Sequence, residues 1–272
     1  MVKRMKAFLF LRGKGLLSNR SLLLQILMPA VILYMYRYIY SLDVLNEVPK
    51  KQLLLFCAPF TIVLAAGSLI AIILAEEKEK NNYRELRLNG VSIDEYCVSV
   101  IIYPIFIAVI YMIAIPLFLD ISFTNSLVIG YVLAVNSITL VIVLLYLLIG
   151  LVVKTQIAAQ VMSIPLMLII IFLPTVSLID PKFEIVTEYS FMGFFTDYVN
   201  DWEKFSLINE TKESVIYLGW VVILLSGIYY YKRLDSDFIG EWFWVGSYCG
   251  SLFFALVAIY KKACYILLIK SK

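Results

Sequence analysis

Apolar and charged positions in this chain fall into long separate blocks rather than alternating. No Asp, Glu, Lys or Arg occurs in 21–36, 52–75, 96–119, 121–153, 155–179, 214–231 or 242–260. A hydrocarbon core takes about 20 apolar residues as helix, so each longer block is a candidate span. These runs are too long and too continuously apolar for barrel strands, and backbone in lipid must satisfy its own hydrogen bonds. The pattern predicts an all-α, polytopic membrane bundle. Its six spans lie at about 22–40, 53–75, 97–119, 125–153, 157–178 and 214–231.

The polar breaks supply the rest of the organisation. Residues 1–20 carry six basic and no acidic side chains, interleaved with Phe8, Leu9, Phe10, Leu11, Leu16 and Leu17. That mixture predicts an interfacial amphipathic helix at the cytoplasmic face of a bilayer. Residues 21–231 form the six-span domain, and 232–272 a hydrophobic tail whose stretch 242–260 is long enough to cross. A seventh crossing would strand Lys261, Lys262, Lys270 and Lys272 outside, so the tail reads better as interfacial. With the N-terminus inside, the cytoplasmic breaks hold thirteen Lys and Arg against five on the other side. The positive-inside rule therefore predicts a cytoplasmic N-terminus in a multi-pass membrane protein. The external segment 179–213 mixes Phe183, Tyr189, Phe191, Phe194, Phe195, Tyr198 and Trp202 with acidic residues, predicting short helices on the outer membrane surface. They would gate an exit, meet a cationic peptide or cap the bundle.

The most informative break follows span two. Glu76-Glu77-Lys78-Glu79 continues that span without Gly or Pro, so the helix can run on beyond the bilayer. Gly90 is placed to end it in the left-handed conformation, and Ser92-Ile93-Asp94-Glu95 has capping-box spacing for the next helix. Tyr83, Arg84, Leu86 and Leu88 would then stand on a knob suited to docking, although a solvated loop that sets topology needs no more than this. The run Glu76-Glu77-Lys78-Glu79 and the turn Leu86-Arg87-Leu88-Asn89-Gly90-Val91-Ser92 resemble the ABC-2 type permeases, the membrane subunits of bacterial ABC exporters. The resemblance covers about 1–231 and includes Ala158-Ala159-Gln160 and Pro165 in span five. The tail departs from it. It implies that 76–92 is a coupling helix held in a groove of a separate ATPase, with ATP and Mg on that partner. It also implies that a second permease copy or paralogue completes a dimer, and that the cargo is a drug, an antimicrobial peptide or a lipid-like molecule.

Composition narrows the alternatives. The chain has 62% hydrophobic residues, no His and a net charge of +3, which leaves little basis for His-dependent acid–base chemistry or nucleic-acid binding. No G-x-x-x-x-G-K-[ST] is present, so any ATP-driven work needs another polypeptide and this chain reads as no enzyme. A CAAX-type protease pattern, E-E-x-x-x-R with later His, fails at Asn81 and on the missing His. The four cysteines lie singly in or beside apolar runs and read as packing residues. Spans two to six carry only neutral polar groups such as Ser68, Tyr103, Tyr111, Asn136, Ser137, Thr139 and Ser163, which weakens an ion-coupled secondary transporter. A non-transporting immunity or assembly protein is the other alternative. In span two, Gly67, Ala71 and Ala75 repeat at spacing four, a small-residue ridge that lets helices approach closely, within the subunit, at a dimer seam or along a translocation wall.

Overall fold

A computed structural model describes residues 2–41, 50–121, 125–177, 180–200 and 211–237. Among these residues the chain is all helix, with no strand. Six helices are long and apolar enough to cross a membrane: Leu22–Ile39, Lys50–Glu79, Glu95–Phe118, Gly130–Val152, Gln156–Ser177 and Lys212–Tyr231. The chain is thus a multi-pass membrane protein. The hydrophobic tail, read as interfacial although 242–260 is long enough to cross, lies outside the described residues together with Cys249 and Cys264.

The chain divides into two units, Met1–Ile228 and Tyr229–Lys272. In the second, only 229–237 are described, all helical. The first opens with α1 (Val2–Ser18), separated from α2 (Arg20–Ser41) by Asn19 alone. Then α3 (Lys50–Ile62), a π-helical segment π1 (Val63–Ser68) and α4 (Leu69–Glu79) run on as one 30-residue rod. A short α5 (Asn82–Leu88) leads to α6 (Ile93–Phe118), α7 (Asn125–Val152) and α8 (Gln156–Ser177). Two short helices, α9 (Pro181–Glu188) and α10 (Gly193–Asn200), precede α11 (Thr211–Asp237).

The rod is the hub of the bundle. Its most apolar window is 89% buried, against 17% for that of α2 and 28% for that of α8. Burial among helices rather than lipid needs small side chains, because lipid gives apolar surfaces no reason to leave it. The Gly67–Ala71–Ala75 ridge meets that need inside the subunit. A Cβ on Gly67 would lie 2.7 Å from the Tyr146 ring, and one on Gly150 would lie 3.0 Å from the Ala71 Cα. The ridge is therefore the seam between the π1–α4 stretch and α7.

Of the roles open to the aromatic segment 179–213, α10 fits that of a cap on one end of the bundle. Rather than resting on a surface, α10 is sunk into one end of the bundle against α3 and α7, with Phe195, Tyr198 and Val199 fully buried. Mixed aromatic and acidic composition suits an interface, but it equally suits a plug whose apolar side finds a gap between spans. Burial pushes the Tyr198 hydroxyl up to about 12. Lys51 at the start of α3 donates to the Asn200 carbonyl at the end of α10 (3.0 Å).

Candidate functional site

The charged run at the end of the rod is the densest polar cluster described. Sequence reasoning expects one helix continuing from span two to Gly90. Instead α4 ends at Glu79, Asn81 turns left-handed (φ 59°), and α5 starts anew. Asn tolerates that conformation better than most residues, so Asn81-Asn82 breaks the helix with neither Gly nor Pro. The second turn is as expected: Gly90 has φ 76°, and Ser92 with Glu95 forms a reciprocal capping box. Two left-handed residues therefore bracket a seven-residue knob.

Four consecutive side chains before the knob point to four different places. Glu76 pairs with Lys80 one turn on, and that hydrogen bond raises the Lys80 ammonium above its ordinary range. Glu77 receives both guanidinium nitrogens of Arg12 in α1, one at 2.7 Å. These two side chains are only 11% and 18% exposed, and Arg12 also lies 5.4 Å from the Tyr96 ring centre. Lys78 reaches across to the Leu151 and Val153 carbonyls at the end of α7. Glu79 accepts from the Gln156 backbone N–H that opens α8 (2.9 Å). The cation thus sits on the negative end of one helix dipole and the anion on the positive end of the next.

The predicted site residues consequently separate into two groups. Glu77, Lys78 and Glu79 tie α1 and the α7–α8 turn to the rod, while Glu76, as little exposed as Glu77, pairs along its own helix with Lys80. Arg84 and Gly90 are exposed, and Leu88, 80% exposed, is the most prominent apolar group of the knob. Leu86 is half-buried and lines a cleft against α1. Tyr83 belongs to α5, and its side chain lies outside the described residues. Gly67, Ala71 and Ala75 belong to the packing seam, which leads up to this cluster, Ala75 directly preceding Glu76.

No protein-family model, curated protein or solved structure matches the chain. The site is therefore read from its own residues.

Arg12 is the participant that sequence reasoning missed. It lies 65 positions from Glu77, and among six basic residues near the N-terminus nothing local distinguishes it. Within the spans, the predicted polar groups Tyr103, Tyr111, Asn136, Ser137, Thr139 and Ser163 each donate to a backbone carbonyl. Three of these bonds run within one helix over four residues, from Asn136, Thr139 and Ser163. Those of Tyr103 and Tyr111 reach Leu9 of α1 and Ile26 of α2.

Proposed function

We propose that this chain is the permease subunit of an ABC exporter, working with a separate ATPase that docks on α5. One observation carries the reading. An apolar side chain, Leu88, stands 80% exposed on a compact helix bracketed by two left-handed turns, at the end of the most buried span. Such a knob presents an apolar tip next to the end of the rod, which is what a soluble partner needs in order to push on it. The resemblance of Glu76-Glu77-Lys78-Glu79 and the Leu86–Ser92 turn to ABC-2 permeases names the partner class. In this reading the N-terminus and the knob are cytoplasmic in a bacterial cell membrane, and α1 lies at the inner interface. A second permease copy or paralogue completes the assembly.

Closure of the ATPases on ATP displaces α5. Through Glu77, Lys78 and Glu79 the displacement reaches α1 and the α7–α8 turn together, not spans one and two alone. The cargo class, a drug, an antimicrobial peptide or a lipid-like molecule, follows from the resemblance.

Co-purification from the native membrane tests the reading. The wild-type chain should retain a soluble protein that is labelled by a photoreactive ATP analogue, and Leu88→Asp should release it. Leu88→Asp is a cleaner probe than Leu86→Asp, because Leu86 also packs within the chain. Retention of the ATP-binding protein by Leu88→Asp would overturn the docking assignment. Cargo movement that follows a proton or sodium gradient without ATP would favour a secondary transporter instead.

A further inference from the structure

A cleft of about 400 Å³ separates α1 from the α4–α5 turn. Its lining is mixed in chemistry. Leu16, Leu22 and Ile73 contribute apolar wall, of which Leu22 opens the first candidate span and Ile73 lies near the end of the second. Lys80, Asn82, Glu85 and Asn89 also line it and are exposed. The cleft therefore joins apolar side chains of two candidate spans to exposed polar groups of the knob.

We propose that this cleft binds the phosphoethanolamine headgroup of a membrane phospholipid. The volume lies within the range of small-ligand sites. Apolar walls continuous with the spans admit the start of the acyl chains, and the polar lining offers charges of both signs. Lys80 supplies an ammonium, 61% exposed, that keeps donors in addition to the one given to Glu76. With the side-chain amide of Asn82 and the second N–H of Asn89, whose first donates to the Glu85 carbonyl (2.9 Å), it would hold the phosphate. Glu85 is the acceptor for the headgroup's primary ammonium.

Charge balance sets the preference. The lining carboxylates are Glu76, Glu77 and Glu85, and the lining cations are Arg12 and Lys80. Arg12 is already committed to Glu77. The surplus carboxylate disfavours an anionic headgroup. A quaternary amine has no N–H to give Glu85, so phosphatidylcholine loses the hydrogen bond that phosphatidylethanolamine makes. The inference stands on the cleft alone and does not depend on the exporter reading.

Native mass spectrometry of the full-length chain tests it, with phosphatidylethanolamine, phosphatidylcholine and phosphatidylglycerol of identical acyl chains. One phosphatidylethanolamine per chain should be retained at least fivefold over either of the others. Glu85→Gln should bring phosphatidylethanolamine down to the phosphatidylcholine level, while Lys80→Met should weaken retention of all three. Glu85 is exposed, so thermal unfolding of Glu85→Gln should match the wild type, whereas Lys80→Met also takes the partner from Glu76 and is compared below its own melting temperature. Equal retention of phosphatidylethanolamine and phosphatidylcholine, preference for phosphatidylglycerol, or a Glu85→Gln variant that still prefers phosphatidylethanolamine would each overturn the proposal.

Discussion

Arg12 and Glu77 form the pair on which the residue-scale chemistry turns. A nearly buried charge left without its partner is costly, whereas replacing both charges by apolar groups of similar size removes the problem. Arg12→Ala or Glu77→Ala should each cost about 2–3 kcal/mol, somewhat below the cost for a fully buried pair because some exposure remains. The double variant Arg12→Met with Glu77→Leu should recover most of the loss, as thermal unfolding in detergent would report. Unchanged melting in both single variants would mean that the pair does not hold α1 in place. Gly67 is the other critical residue. Gly67→Val would drive side-chain atoms into the Tyr146 ring and should cost about 1–3 kcal/mol, partly relieved by Tyr146→Leu.

The capping of α7 and α8 by adjacent residues belongs to the scale of elements. Lys78→Glu places an anion on the carbonyl end of α7, and Glu79→Lys a cation on the amide end of α8, so each opposes a helix dipole. The exchange of both charges should speed hydrogen exchange of the Gln156 amide by about tenfold or more while leaving the capping box at Ser92 protected. Much at this scale was legible in the sequence. Charge-free blocks mark the spans because hydrocarbon does not tolerate unpaired charge, and Ser92 and Glu95 announce their cap by spacing alone. The break at Asn81 was hidden because Asn is merely permissive of a left-handed turn. The sinking of α10 was hidden too, since it depends on a space left between α3 and α7 that no local pattern encodes. Within 76–79, the sequence marks a polar cluster but cannot say which side chain turns inward, because the partners lie 65 and more positions away.

For the whole molecule, the proposed function requires the knob on the cytoplasmic side, the side to which the excess of Lys and Arg points. In intact cells, in a background with the native cysteines replaced, Lys182→Cys in α9 should react with a membrane-impermeant maleimide, and Leu88→Cys should react only after the membrane is opened. The reverse labelling would place the knob outside, where no cytosolic ATPase could reach it. The same variants serve the lipid proposal, because Leu88 lies beyond the cleft and its labelling should leave phosphatidylethanolamine retention unchanged.

The π-helical stretch Val63–Ser68 gives the central rod a wider winding than its neighbours on either side. Such a stretch holds a surplus residue relative to regular helix. Losing one residue there can be absorbed by tightening the coil, whereas one lost from Ile70–Leu74 must turn every later side chain by about 100°. Deleting Ala66 should therefore leave a folded, monodisperse protein in detergent, and deleting Ile72 should not. The rod thus carries spare length at its middle, and any twist that shortens or restores it would swing the charged end against the rest of the bundle.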